Sequence, residues 1–243
     1  MSQHTSQIAL VTGANKGIGK ELVRQLLEQG FTVYLGSRDT ERGQAALAEL
    51  QGDRRDVRLL PLDLTNPASL EQAAATLEQD GGRLDLLINN AGIVGGRAVP
   101  SQTRIEDLRA VYETNFFGPF LLTQALLPLL RRSARPTIVN VSSGLGSLAL
   151  MGYPLDEFAG IQVFPYQASK AALNSLTVLF AKELRAEGFR VNSVSPGYTA
   201  TDLNGFRGTE SVEDAAAMIL KTALAGEGGP TGGFFAGDGQ VPW

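Results

Sequence analysis

The amino-acid sequence predicts a single-domain α/β protein, with a doubly wound parallel sheet of about seven strands and helices on both faces. Short apolar runs ending in glycine alternate with segments of helical periodicity, and 243 residues suffice for one large domain over residues 1–243. Strands that alternate with helices of this length imply parallel pairing with right-handed crossovers. In such sheets, ligands bind beyond the carboxyl ends of the strands, where the unusual residues of this chain are found.

The strands and helices follow one another along the whole chain. Apolar runs that end in glycine or Pro-Gly predict strands, and apolar residues at helical spacing, such as Leu22, Val23 and Leu26, predict helices. Pro67 near the start of one helix and Gly81 after its end are typical boundary residues. The predicted strands cover residues 8–13, 32–37, 56–64, 84–92, 136–144, 189–197 and 232–237, and the predicted helices include 19–30, 40–51, 67–82 and one that begins at Tyr166.

The composition excludes several classes of function. The net charge of −4 and the pI near 5.2 argue against a nucleic-acid partner and against an anionic membrane. The chain has no cysteine and a single histidine, His4, which argues against thiol catalysis, a His-dependent triad and a metal centre. No apolar run reaches the roughly 18 residues of a spanning helix and no secretory signal is visible, so we expect a cytoplasmic protein.

A glycine-rich segment, TGANKGIG (12–19), joins the first predicted strand to the first predicted helix. Such glycines allow a tight turn and let the backbone approach a pyrophosphate, whose charge meets the positive helix N-terminus. An ordinary glycine-rich turn would show similar residues, and the spacing differs from G-x-G-x-x-G. The position directly between a strand and a helix favours the nucleotide site.

Further short motifs stand in order along the rest of the chain: NNAG (89–92), YETNFFG (112–118), NVSSG (140–144), YQASK (166–170) and SPGYTATD (195–202). Together with the TGxxxGxG spacing, this order resembles the short-chain dehydrogenase/reductase family over essentially the whole chain. The insert of moderate length at 144–165, the short segment after the Pro-Gly pair and the ending GGPTGGFFAGDGQVPW (228–243) are most similar to its carbonyl-reductase branch. The resemblance implies a Rossmann-type fold, a nicotinamide cofactor and a small-molecule carbonyl substrate.

Four residues match the catalytic positions of that family: Asn115, Ser143, Tyr166 and Lys170. Residues four apart lie on one helical face, so the Lys170 ammonium and an oxidised nicotinamide would lower the pKa of the Tyr166 phenol, which is roughly 10 when free. The resemblance implies that Tyr166 protonates the carbonyl oxygen, that Ser143 polarises it, and that Asn115 holds a water leading to Lys170. Ser142 is the weaker candidate for the serine, and would otherwise form hydrogen bonds at the end of its strand.

The resemblance also implies the cofactor contacts. Asp63 would accept a hydrogen bond from the adenine amine, the NNAG segment would line the adenosine ribose, and the segment after Pro196 would reach the nicotinamide. The expected cofactor-binding residues are Gly13, Asn15, Lys16, Gly17, Ile18, Gly19, Ser37, Arg38, Asp63, Leu64, Asn90, Ala91, Gly92, Tyr166, Lys170, Pro196, Gly197, Thr199 and Thr201.

The end of the second predicted strand favours NADPH over NADH. Where NAD-binding relatives carry an acid, this chain has Ser37 followed by Arg38. The fork-shaped guanidinium of Arg38 and the ammonium of Lys16 suit the 2′-phosphate of NADPH. Asp39 could serve as the NAD-binding acid if the turn were shifted, but two cations outweigh one displaced carboxylate. The alternative is that both cations are solvated surface charges.

The substrate side is the least determined part of the sequence. Residues 144–165 form an insert of moderate length, and the segment after the Pro-Gly pair is short, which indicates an open site. Five apolar residues of the insert either line this site or pack against the body of the protein: Leu145, Leu148, Met151, Tyr153 and Phe158.

NADPH-dependent reduction of ketones and aldehydes is the leading hypothesis, and two others stay open. A 3-oxoacyl thioester reductase of fatty-acid synthesis would use Arg131 and Arg132 to receive an acidic carrier protein. A non-catalytic protein would bind NADPH as a sensor. The helices that carry Asn115 and Tyr166 commonly pair in the family, which slightly favours a homo-oligomer.

Overall fold

The computed structural model describes residues 6–52, 56–152, 160–237 and 239–243. The strands are β1 (Ile8–Thr12), β2 (Thr32–Ser37), β3 (Val57–Pro61), β4 (Leu86–Asn89), β5 (Thr137–Val141), β6 (Arg190–Ser195), β7 (Phe234–Ala236) and β8 (Gly239–Gln240). The helices are α1 (Gly17–Glu28), α2 (Thr40–Gln51), α3 (Pro67–Asp80), α4 (Ile105–Tyr112), α5 (Gly118–Leu130), α6 (Leu148–Gly152), α7 (Phe164–Glu183) and α8 (Val212–Ala223). Within these ranges, no helix combines the length and hydropathy that crossing a membrane requires.

The described strands form one sheet in the order β3-β2-β1-β4-β5-β6-β7-β8, which confirms the doubly wound fold. The seven predicted strands are present and pair in parallel. The eighth strand, β8, runs antiparallel to β7 and pairs Gln240 with Phe235. The sequence did not predict it because two exposed residues carry no periodicity.

The strand order reverses at the centre of the sheet, which places the site. From β1 the chain proceeds through β2 and β3 towards one edge, and then returns to β4 on the other side of β1. The loops after β1 and β4 therefore leave the carboxyl ends of neighbouring strands and lead to helices on opposite faces of the sheet. A crevice at such a reversal is the usual ligand site of open α/β sheets.

Two hydrophobic layers cover the two faces of the sheet. On one face α3, α5 and α7 contribute residues such as Leu126 and Phe180, and on the other α1, α2 and α8 contribute residues such as Leu26 and Ile219. Leu10 of β1 packs in the first layer and its two neighbours pack in the second, because successive strand residues point to opposite faces. Helices thus cover both faces of the sheet, as the sequence predicts, although the sequence analysis did not include α8 among the predicted helices.

The helix that carries the YQASK motif begins earlier than predicted. α7 starts at Phe164 rather than at Tyr166, with Pro165 in its first turn. Proline is favoured there because the N–H groups of a first turn have no partner within the helix, so the lack of one costs no hydrogen bond. Tyr166 is therefore the third residue of the helix rather than its first.

Candidate active site

The loop between β1 and α1 closely approaches the loop that follows β4. Gly13 has φ +65°, and a Cβ at this position would lie 2.9 Å from Cα of Ala91. A Cβ on Gly19 would lie 2.6 Å from Nδ2 of Asn90. Both positions therefore require glycine, and the backbone forms a narrow cradle at the N-terminus of α1.

Thr12 joins these two loops by hydrogen bonds. Its Oγ1 accepts the backbone N–H groups of Asn90 and Ala91, both at 3.0 Å. Its carbonyl oxygen accepts Nδ2 of Asn90 at 2.8 Å. Thr12 is not among the expected site residues, although its position at the end of β1, next to the glycine motif, was a usable signal.

A cavity of about 500 Å³ opens at the carboxyl ends of the strands. It brings the glycine cradle and the tyrosine–lysine pair into one space. Among the expected site residues, those that line it are Gly13, Asn15, Lys16, Gly17, Ile18, Gly19, Arg38, Asp63, Leu64, Asn90, Ala91, Gly92, Tyr166, Lys170, Pro196 and Thr201.

The other expected site residues do not line this cavity: Ser37, Asn115, Ser143, Gly197 and Thr199. Ser37 is buried, and its hydroxyl donates to the carbonyl oxygen of Asp39 at 2.8 Å. Thr199 is also buried, and its hydroxyl donates to the carbonyl oxygen of Pro196 at 3.1 Å. Both hydroxyl groups therefore stabilise the turns that present their neighbours to the cavity.

Asn115 lies in a π-helical turn, Glu113–Phe117, between α4 and α5. Such turns are rare and frequently occur at functional sites. The Asn115 amide accepts the N–H of Ile93 at 2.9 Å, and donates to the carbonyl of Ile93 at 2.9 Å and to Oγ of Ser169 at 3.0 Å. Because both amide hydrogens have protein partners, the Asn115 side chain could contact the predicted water only through its oxygen.

Tyr166 and Lys170 lie one turn apart near the start of α7, and the lysine Nζ is 5.5 Å from the centre of the phenol ring. Lys170 is 3% exposed, and its ammonium donates to the carbonyl oxygen of Val141 at 2.7 Å. Burial lowers the pKa of Lys170 to about 8, because desolvation penalises the charged form. The spacing in the sequence therefore does bring the two side chains together.

The Tyr166 phenol differs from the expectation. Burial raises its pKa to about 12, while a hydrogen-bonding interaction with Ser143 acts in the opposite direction. We expected Lys170 to lower this pKa, but in the protein alone desolvation of the phenolate dominates, and the lysine ammonium is bound to the Val141 carbonyl. The phenol is therefore protonated near neutral pH.

The two serines after β5 have different environments. Ser142 is buried, and its hydroxyl donates to Oδ1 of Asn174 at 2.6 Å, although some of its atoms reach the cavity wall. The Ser143 hydroxyl oxygen accepts the N–H of Leu145 at 3.2 Å, which leaves its hydrogen for Tyr166 or a ligand. The Ser143 hydroxyl is thus the freer of the two to donate a hydrogen bond, and its role in polarising a carbonyl group stays a prediction.

Besides Lys170, three cationic side chains line the cavity: Lys16, Arg38 and Arg42. Nζ of Lys16 lies 3.0 Å from the carboxylate of Asp202, and Nε of Arg42 lies 3.2 Å from that of Asp39. In the described part of the chain, Arg38 has no ion pair. This guanidinium is therefore available to an anionic ligand without exchanging a partner.

Asp39 has a local structural role that bears on cofactor choice. It is the N-cap of α2, and its side chain accepts the N–H of Arg42 at 3.0 Å. Because the cap and the ion pair both use its carboxylate, Asp39 is a poor candidate for the acid that binds the ribose of NAD. Sequence reasoning missed Arg42, although an aspartate three residues before it signals a helix start that would place it beside Arg38.

Only part of the predicted substrate wall lies in the described residues, since Tyr153 and Phe158 fall outside them. Leu145 and Met151 are half-buried, and Leu148 is 74% exposed. Met151 contacts α7, with its sulfur 4.0 Å from Nε2 of Gln167. Lining of the substrate site by these residues stays a prediction.

Comparisons with known proteins are consistent with this site. The family model described as short chain dehydrogenase matches residues 7–211. The (−)-isopiperitenone reductase of Mentha piperita is 35% identical over 305 aligned residues, covering 95% of this chain and 96% of that protein. A 3-oxoacyl-[acyl-carrier-protein] reductase of rhamnolipid biosynthesis from Pseudomonas aeruginosa is 36% identical over 195 residues, covering 79% of this chain and 72% of that protein.

A solved structure agrees over the entire fold. The NADPH-bound carbonyl reductase from chicken fatty liver has a TM-score of 0.87 and 32% identity, and the match covers 98% of this chain and 99% of that one. Because the family model spans most of the chain, and the Mentha and chicken proteins align with it almost end to end, this protein belongs to the short-chain dehydrogenase family and resembles its carbonyl reductases.

Proposed function

We propose that this protein is an NADPH-dependent reductase that converts ketones and aldehydes to alcohols. The observation that carries the proposal is the single cavity that joins the glycine cradle to Tyr166 and Lys170. The chicken relative, described as an NADPH-bound carbonyl reductase, supports the same class of reaction.

The residues present fit a dinucleotide cofactor, because the cradle leaves no space for a Cβ and cations line the same cavity. The glycine loop and the NNAG segment would hold the cofactor, whose reduced nicotinamide supplies a hydride for the carbonyl carbon. Tyr166 gives its phenolic proton to the carbonyl oxygen, and Ser143 donates a hydrogen bond to that oxygen. Lys170 stabilises the phenolate that Tyr166 becomes.

Lys170 is also suited to returning the proton. With a pKa of about 8, its side chain can lose and regain a proton near neutral pH. The π-helical turn that holds Asn115 fixes the backbone of Ile93, which lines the cavity. Asn115 thus supports the cavity wall next to Lys170, and its oxygen would accept a hydrogen bond from the water that supplies protons.

The cations of the cavity favour NADPH. A hydrogen bond to a charged group contributes about 1.5–3 kcal/mol, which corresponds to about 10- to 150-fold in affinity. Arg38 should contribute most of this preference because it has no competing carboxylate in the described chain. Lys16 and Arg42 must exchange Asp202 and Asp39 for the 2′-phosphate, so their net contributions should be smaller.

The cofactor assignment is tested by kcat/KM for NADPH and NADH. We expect Arg38→Ala to lower the NADPH preference by about 10- to 150-fold, and Lys16→Ala and Arg42→Ala to lower it less. Ser37→Asp combined with Arg38→Ile should shift the ratio towards NADH. Arg185→Ala removes an exposed arginine outside the cavity and is the matched control. A wild type that prefers NADH, or a double variant with an unchanged ratio, would refute the assignment.

The reaction is tested by NADPH consumption with ketones, aldehydes, 1,2-diketones and acyl thioesters. We expect turnover of ketones or aldehydes that is abolished when Tyr166 is replaced. Binding of NADPH without turnover of any substrate would indicate the non-catalytic sensor, since the cradle would then serve binding alone.

A 3-oxoacyl thioester reductase is the second candidate, and the Pseudomonas relative favours it. The docking residues considered for it are engaged within the chain. Arg131 pairs with Glu187 at 2.7 Å, and Arg132 pairs with Glu78 at 2.7 Å. A carrier protein would have to displace these carboxylates. Faster turnover of acyl thioesters than of simple ketones would nevertheless decide for this function.

A further inference from the structure

A line of polar side chains follows the face of α7 that meets the sheet. Tyr166, Lys170, Asn174 and Thr177 recur at helical spacing, so they lie one above another. Lys170, Asn174 and Thr177 are all buried. Buried polar groups must be paired to avoid a penalty, and each of these three has partners on the strands or on the turn after β5.

Asn174 holds both sides of the catalytic serine. Its Oδ1 accepts the hydroxyl of Ser142 at 2.6 Å, and its Nδ2 donates to the carbonyl oxygen of Gly146 at 3.1 Å. Ser143 lies between these residues, and its own carbonyl accepts the N–H of Gly146 at 2.9 Å. One amide therefore fixes the residue before the serine and the turn that follows it.

The same turn packs directly on the catalytic lysine. A Cβ on Gly146 would lie 2.7 Å from the carbonyl carbon of Lys170, so only glycine allows this approach. Asn174 is one helical turn beyond Lys170 and two turns beyond Tyr166. The helix that carries the acid is thus bonded, through Asn174, to the turn that carries Ser143.

From this geometry we propose that Asn174 is a positioning residue that holds Ser143 in register with Tyr166 and Lys170. The inference rests on the proposed reductase function, in which Ser143 and Tyr166 share one carbonyl oxygen. Displacement of a reacting group by about 1 Å can lower a rate by about 10²-fold. Without the amide, neither Ser142 nor the Gly146 carbonyl would have this link to α7.

Thr177 provides a matched control on the same face of α7. Its hydroxyl bonds the amide of Asn140 at 2.8 Å and the hydroxyl of Ser193 at 2.8 Å, and none of its recorded bonds reaches the turn after β5. Thr177→Val should therefore lower the free energy of unfolding, as the loss of any buried hydrogen bond does, without moving Ser143.

The test compares Asn174→Leu with Thr177→Val. We expect Asn174→Leu to lower kcat for carbonyl reduction by about 10- to 100-fold, with KM for NADPH changed by less than about 3-fold. The pH profile of alcohol oxidation should move to higher pH, because the interaction with Ser143 lowers the Tyr166 pKa. Thr177→Val should keep kcat and the pH profile. If Asn174→Leu does not fold, Asn174→Ala replaces it.

Hydrogen exchange gives a readout that does not depend on activity. Amides of residues 142–147 should exchange faster in Asn174→Leu and at the wild-type rate in Thr177→Val. The inference would be overturned if Asn174→Leu showed the amide exchange rates and the kcat of the wild type. It would also be overturned if kcat fell equally in both variants. A wild type that reduces no carbonyl would instead overturn the proposed function, and exchange would still test the positioning.

Discussion

The buried ammonium of Lys170 should destabilise the folded protein at neutral pH, and Lys170→Met should show this. Burial lowers the lysine pKa from 10.5 to about 8. One pKa unit corresponds to about 1.4 kcal/mol, so the charge lowers the free energy of unfolding by about 3 kcal/mol below pH 8. Methionine occupies a similar volume and carries no charge, so it removes this penalty.

The pH dependence separates this penalty from other effects of the substitution. Between about pH 8 and 10.5, the unfolded chain holds the lysine proton and the folded chain does not, so wild-type stability rises with pH. The advantage of Lys170→Met over wild type should therefore shrink by about 3 kcal/mol from pH 7 to 10.5. Leaving the Val141 carbonyl unpaired costs about 1–3 kcal/mol at every pH, so it shifts the difference without changing its slope.

Urea unfolding of both proteins across this pH range measures the difference. Lys182→Met, which removes an exposed lysine from the same helix, controls for the change in net charge. A difference between wild type and Lys170→Met that stays constant with pH would refute the reasoning, since it would mean that the folded protein does not lower the pKa of this lysine.

Three further outcomes are expected. Tyr166→Phe should keep the fold and NADPH binding but lower carbonyl reduction by at least about 10²-fold, measured by steady-state kinetics; a rate within a few-fold of wild type would remove Tyr166 from its role. The kcat for reduction should fall as pH rises through about 8, where Lys170 loses its proton, and a flat profile would contradict that role. Three exposed apolar side chains should pack against a second copy in a homo-oligomer: Phe117 of the π-helical turn, Leu121 of α5 and Leu179 of α7. Sedimentation of one species near 25.8 kDa would disprove this.

The fold was predictable because its signals are local. Apolar strand runs and helical periodicity report burial on two faces, and both hydrophobic layers contain the residues that this pattern picks out. β8 was missed because it exists only through its pairing with Phe235 and Ala236 of β7. A two-residue strand has no pattern of its own.

Most of the expected site residues line the cavity, but the electrostatics of the cavity were not predictable from the sequence. Spacing places Tyr166 and Lys170 on one helical face, and the structure has them there. Which effect dominates the pKa of the phenol depends on burial and on the partner of the ammonium, Val141, which lies on another strand. The capping role of Asp39 was, by contrast, readable from the sequence, because the helix predicted over 40–51 begins directly after it.

The polar face of α7 combines groups whose effects on stability have opposite signs. Asn174 and Thr177 form hydrogen bonds to the strands and to the turn after β5, so removing either should destabilise the fold. Lys170 has one hydrogen bond, to Val141, and carries a charge that burial penalises. Removing that charge should therefore raise the free energy of unfolding at neutral pH. A stabilising substitution at this one position would mark it as a residue kept for chemistry, because packing alone would favour an apolar side chain there.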